Sequence, residues 1–266
     1  MTLTAENPAW RTALQLALPK EHGSWSLALE PVAFGLLVAP SKAGAALALA
    51  AGAGFFLRRP LKLALAAKVD ARQPLARVCV TVLAIAALSG LALALGSGAP
   101  GGGWPLVPAA AAAAVFAWCD GHNGARESTA ELAGAVAFGL LPAAFGALAG
   151  WGGAAACALG IAMLARSLPT VLTVRTYLRR RKGQAFCLTP GLVAVGAGLG
   201  LTVWLGKLGL VPWATAAFAL VFAGRTFWLL LTPPRLAVKT IGISEAVLGV
   251  MMVFILTLTW KRSAGW

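Results

Sequence analysis

Acidic residues are scarce in this sequence, which has eight Asp and Glu against 22 Lys and Arg, two histidines and one tyrosine, with only 11% of its 266 residues charged. A soluble domain carries about a quarter charged residues, so a surface solvated on every side is excluded. Two histidines and scattered carboxylates give no repeated metal-ligand spacing, and no metal and no cofactor are expected. Cys79, Cys119, Cys157 and Cys187 lie far apart without a C-x-x-C pair. They read as small buried residues, neither a disulfide framework nor metal ligands. A nucleophile elbow and a P-loop are also missing.

What remains is apolar. Hydrophobic residues make up 59% of the chain and the mean hydropathy is +0.82. A membrane-spanning helix needs about 20 such residues, so the expected fold is all-α, a polytopic membrane bundle of about nine transmembrane helices forming a single domain over residues 1–266. Spans are expected at about 24–41, 43–58, 77–97, 104–119, 128–149, 153–175, 185–205, 211–232 and 240–260. Residues 1–22 lack the features of a cleaved signal peptide and read as a short amphipathic lead-in. Small residues recur within the spans and predict close helix packing. Trp104, Trp151, Trp213, Trp260 and Trp266 stand near span ends, where an amphipathic ring favours the interface.

The formal charge of +14 points away from nucleic acid, because the cations fall between apolar runs and not along one continuous face. Sixteen of the 22 cations gather on one side if the N-terminus is inside, four are left outside, and Arg166 and Arg225 lie within spans. By the positive-inside rule the protein lies in its membrane with its N-terminus cytoplasmic and its C-terminus outside. Membrane lipids are the expected partners, and the oligomeric state is left open.

Two basic segments follow the second and sixth spans. Arg166, Thr170, Thr173 and Tyr177 share one helical face that descends toward Arg175, Arg179, Arg180, Arg181 and Lys182. Arg58, Arg59 and Lys62 form the other segment, and Arg58 with Lys62 lies along one face if the span continues. Guanidinium groups match phosphate oxygens bidentately, so these cations are candidates for an anionic headgroup, although topology alone also calls for basic inner loops.

Glu30, Glu131, Arg166, Arg225 and Glu245 fall inside expected spans, where ionisable groups find partners or a wet cavity. Counted at about 1.5 Å per residue, Glu30, Arg166, Arg225 and Glu245 form one layer very roughly 8–13 Å below the cytoplasmic surface. Arg225 with Glu245, on consecutive antiparallel spans, is the first expected pair. A second polar group consists of His22 at the first span and Asp120, His122, Arg126 and Glu131 around the fifth. Asp120 and His122, two apart beside a glycine, are spaced to share a proton or a water, although a solvated turn is the favoured reading.

The opening P-K-E-H-G-S-W-S-L-A-L-E-P-V-A-F-G-L-L, the R-R-P-L-K-L-A-L after the second span and the R-x-x-x-E-L-A-G of the fifth resemble the YwiC-like family of bacterial membrane proteins, over nearly the whole chain. More distantly the layout is similar to the UbiA superfamily of intramembrane prenyltransferases, which implies nine helices around a cavity with functional segments after the second and sixth. That superfamily holds Mg²⁺ on aspartate-rich motifs. The corresponding segments here carry Asp70 alone and no acid at all, so no metal ligand carries over.

Three readings stand. The first is a carrier or binding protein for an amphipathic anion, such as an isoprenoid phosphate, a quinone precursor or a phospholipid, without Mg-dependent catalysis. The second is a metal-independent prenyltransferase, with Glu30, Asp70, Asp120 and His122 as the candidate bases. The third, a small transporter, is weakened because the buried charges stop in the inner half. Enzymatic activity is left undecided, leaning against.

Overall fold

The computed structural model describes residues 16, 18, 22–66, 70–122, 127–232 and 236–263, with the side chains of 22–24 and 261–263 excepted. Most of the expected lead-in therefore lies outside the described residues. Ten helical segments follow: α1 (His22–Val38), α2 (Lys42–Ala64), α3 (Gln73–Ser97), α4 (Leu106–Gly121), α5 (Ser128–Gly139), α6 (Leu141–Leu148), α7 (Gly153–Arg181), α8 (Thr189–Lys207), α9 (Trp213–Leu231) and α10 (Val238–Ser263).

Prolines and glycines punctuate them for identifiable reasons. Ser41 caps α2 by accepting from the Gly44 N–H at 2.9 Å, which satisfies one of the free donors of the first turn. Pro142 stands at the start of α6; with no N–H to donate it interrupts the ladder, and α5 and α6 form one broken span, Ser128–Leu148. Counted this way there are nine helical passes among the described residues. Six are long and apolar enough to cross a membrane, and Trp25–Val38 and Leu106–Gly121 are shorter apolar helices. The remaining one, α2, has the length but ends in Arg58, Arg59 and Lys62. The chain is an integral membrane protein by this criterion.

The most apolar helix is the least covered. In α3 the best window has a mean hydropathy of 2.5 with 11% of it buried, and Val78, Val82, Ile85 and Leu88 point outward, as lipid-facing side chains do. It leans on α2 through Gly90, where a Cβ would meet the Ala46 carbonyl at 2.8 Å. Only a bare backbone permits that approach.

Two apolar clusters fill the half of the bundle away from the basic ends. One joins Phe34, Leu159, Met163, Phe222, Leu256 and Trp260 across α1, α7, α9 and α10; the other packs Leu47, Ala94, Phe145 and Leu148 across α2, α3 and α6. A hydrogen bond of 2.9 Å from the Ala99 N–H to the Leu148 carbonyl ties two turns together at that end. The basic half encloses a hollow, flanked by a smaller buried cluster of Tyr177, Leu229 and Ile241.

Several expectations need correcting. The basic segments are not loops: α2 runs to Ala64 and α7 to Arg181, so their cations ride on helix ends. Trp260 is not an interfacial anchor; it is buried with its ring 5.7 Å from that of Phe34. Nor are the cysteines buried, since Cys157 and Cys187 are exposed and Cys79 and Cys119 partly so. In a membrane, exposure to lipid satisfies a thiol as well as burial does.

Candidate functional site

The hollow is a cavity of about 2560 Å³ bounded by α1, α2, α4, α5, α7 and α10. Its walls are apolar and aromatic. Phe55, Phe116 and Phe138 line it, and Phe55 is braced edge-on by Trp25, Phe56 and Phe138 at centroid distances of 5.8, 5.4 and 6.0 Å. Aromatic edges packed this way resist collapse of the space.

Arg166 and Glu245 form the floor. Arg166 is 4% exposed and Glu30 6%; the guanidinium donates to Glu30 Oε1 at 3.0 Å and to the Glu245 backbone carbonyl at 3.0 Å. Arg225 pairs with Glu245, and Thr170 also contacts that carboxylate. Ser26 donates to Glu30, and the Arg166 guanidinium lies 5.4 Å from the centre of the Phe222 ring. The layer expected from depth counting is thus one four-charge cluster joining α1, α7, α9 and α10. Gly249 makes room for it, because a Cβ there would collide with Glu30 and Arg166.

The mouth is cationic. Arg58, Lys62, Arg175, Arg179, Lys182 and Lys239 all line the cavity at its basic end. Asp120 accepts from Arg58 Nε and Nη2 at 3.1 Å each and from Lys62 Nζ at 3.1 Å, while Phe116 one turn earlier lies 4.9 Å beneath the Arg58 guanidinium. Arg175 donates to Glu131 at 2.7 Å. Arg179, Lys182 and Lys239 have no acidic partner among the described residues.

The polar stripe of α7 divides. Arg166 and Thr170 reach the cavity, but Thr173 and Tyr177 do not. The Thr173 hydroxyl meets that of Thr226 at 3.2 Å, and the Tyr177 hydroxyl bonds the Leu236 backbone, accepting from its N–H at 3.3 Å. Helical periodicity places four residues on one face without saying which neighbour that face meets. The cavity-facing side of α7, through Ser167, Thr170, Val174, Arg175 and Leu178, is rotated from the stripe. Arg59 likewise faces away and donates to the Leu18 carbonyl.

Asp120 and His122 share nothing. Asp120 turns to α2, whereas His122 Nδ1 lies 2.8 Å from the Trp118 carbonyl in an exposed position. The His22 side chain and Arg126 lie outside the described residues. Asp70 sits in the turn before α3, where hydrogen bonds from the Arg72 side chain and its backbone N–H hold the carboxyl down to about 2. Among the described residues no three His, Cys, Asp or Glu gather as metal ligands, and Asp70, Asp120 and Glu131 are each committed to cations at separate places. The residues after the second and sixth passes do not fit a Mg²⁺ site. Lys239, Phe116 and Gly249 were not marked as site residues by the sequence; only the contacts reveal them.

Residues 18–144 match the family of YwiC-like proteins. This YwiC-like stretch runs from before α1 into α6 and supplies Glu30, Arg58, Lys62, Asp120 and Glu131. It stops before α7, so Arg166, Arg175 and Arg179 come from outside the match, which is shorter than the resemblance drawn from the sequence. No curated protein and no solved structure matches the chain, and the UbiA resemblance gains no support from these comparisons.

Proposed function

We propose that this YwiC-like membrane protein binds an amphipathic anionic ligand, with its hydrocarbon part in the aromatic-walled cavity and its headgroup among the cations of the mouth. One observation carries the reading: an apolar cavity of about 2560 Å³ ends in cations, three of which have no acidic partner among the described residues. Drug-sized ligand sites run to about 1,000 Å³, so there is room here for a long chain. Arginine and lysine on helix ends offer a phosphate direct charge-assisted hydrogen bonds and need no divalent ion. The positive-inside rule favours this mouth on the cytoplasmic side, with the N-terminus inside and the C-terminus outside, and the YwiC-like resemblance implies a bacterial inner membrane.

The prenyl-transfer reading is less well supported. Its candidate bases are held by cations, Glu30 by Arg166, Asp120 by Arg58 and Lys62, and Asp70 by Arg72, and His122 points away from the cavity. No observation favours transport.

Native mass spectrometry with lipid extraction tests the proposal on the gently purified protein, comparing the parent with Arg179→Ala/Lys182→Ala, each with and without a divalent chelator. The expected result is a co-purifying anionic lipid that is depleted in the double variant and indifferent to chelation. An empty parent, or occupancy that follows the divalent ion, would overturn it.

A further inference from the structure

The cavity has a side as well as a mouth. Among the described residues α4 packs along α5 and touches α6, but it does not pack along α2 or α3. The cavity reaches into the space between them: Gly54 and Leu91 line it from α2 and α3, and Ala109, Ala113 and Phe116 from α4. A Cβ placed on Gly54 would meet nothing within 4 Å. This slot is apolar along its length and closed at its two ends by different means. Away from the basic side, α6 contacts both α2 and α4, and the Ala99 to Leu148 hydrogen bond of 2.9 Å ties the neighbouring turns. At the basic side α2 and α4 are linked by the bridge from Arg58 and Lys62 to Asp120.

We propose that the slot between α2 and α4 is a lateral portal through which an anionic phospholipid passes from the bilayer into the cavity, and that the Asp120 bridge is the strap across its headgroup end. The inference rests on the ligand-binding reading above and names the source of the ligand. An apolar slot at the depth of the spans suits acyl chains, since lipid tails are as apolar as the side chains that line it; a water-soluble anion has no use for it. Charge is confined to one end, as an amphiphile with one anionic head requires. The strap is also built to yield. Two cations share one carboxylate, and side-chain exposures of 33% for Arg58 and 50% for Lys62 keep it accessible. An arriving phosphate therefore competes with Asp120 for the same donors and finds Arg179 and Lys182 across the mouth.

The test uses the full chain reconstituted in phosphatidylcholine vesicles containing pyrene-labelled phosphatidate. It reads the rate at which bound phosphatidate exchanges with the bilayer, and the final occupancy by native mass spectrometry. Gly54→Trp and Ala113→Trp each fill the slot. Gly52→Trp is the control, two residues away on the same helix, also with nothing within 4 Å of its Cβ and not lining the cavity. Filling the slot should slow exchange by about tenfold or more at parental final occupancy, Gly52→Trp should match the parent, and Asp120→Asn should speed exchange several-fold by loosening the strap. Parental exchange rates in both slot-filling variants would overturn the portal while leaving the binding reading intact. Phosphatidate displaced equally well by glycerol 3-phosphate added in water would show a headgroup site reached from the mouth, and would also overturn it. A parent that takes up no phosphatidate would refute this ligand and the portal with it; an empty parent in the lipid-extraction experiment would refute the binding reading itself.

Discussion

The floor and the mouth of the cavity use the same residue types to opposite ends. At the floor Arg166 and Arg225 meet Glu30 and Glu245 one for one in a largely buried site. At the mouth six cations face Asp120 and Glu131, and three are left without an acid among the described residues. A buried charge must be matched or it destabilises the fold, whereas an excess of exposed charge costs little and draws an anion. Stoichiometry, more than residue type, separates the part that holds the bundle together from the part that meets a ligand.

The strongest way to break this contrast is at the floor. Arg166→Ala strands Glu30 inside the bundle, and truncating one partner of a buried pair costs about 3–5 kcal/mol. Thermal unfolding in detergent should show a large loss, and removing Glu30 as well should restore part of it. A single variant as stable as the parent would deny the floor its structural role. Gly249→Leu attacks the same cluster by volume, since the side chain lands on Glu30 and Arg166; overpacking of this kind costs about 1–3 kcal/mol, measurable in the same assay.

Between floor and mouth stands the strap. Asp120→Ala removes a partly exposed bridge and should lower stability by only about 1 kcal/mol, a shift read as a modest change in the unfolding midpoint. At the mouth itself Arg179→Gln/Lys182→Gln should change stability by no more than about 0.5 kcal/mol, while phosphatidate binding, followed by native mass spectrometry, falls and its sensitivity to added salt weakens. A stability loss as large as that of Arg166→Ala would erase the distinction between the two regions.

The smallest effect is at a turn that belongs to neither. Asp70 is held down to about 2 from an ordinary 3.8, first by the Arg72 side-chain hydrogen bond. A depressed carboxyl contributes fully above its unfolded value and loses that contribution as pH falls through the folded one. The turn should therefore hold at pH 5 and loosen between about pH 4 and 2, as backbone amide exchange at residues 70–73 would report; Asp70→Asn should abolish that dependence and leave the cavity unaffected.

Much of this was legible from apolar run length and charge. The broken span around Pro142 was expected as one segment at 128–149, and the expected ends of most passes fall close to the observed helices. Depth counting brought Glu30, Arg166, Arg225 and Glu245 to one level, and antiparallel neighbours suggested the pairing of Arg225 with Glu245. The division of the α7 stripe was not legible, because four residues on one face do not name the neighbour. The sharing of Asp120 by Arg58 and Lys62 was hidden for a different reason. Its partners are about sixty residues away on a helix that α4 does not pack against.

What the sequence determined by itself is the class and the layering. Runs of apolar residues can be satisfied only by a membrane-embedded helical bundle, and rare internal charges must lie where they can neutralise one another. What only the tertiary structure decided is where space is left. Two clusters fill one half of the bundle, the braced aromatic rings line a cavity in the other, and α4 stands off from α2 and α3 with the shared Asp120 bridge across the gap. Cavities depend on how three-dimensional surfaces fail to meet, and no one-dimensional pattern of hydropathy or charge records that failure.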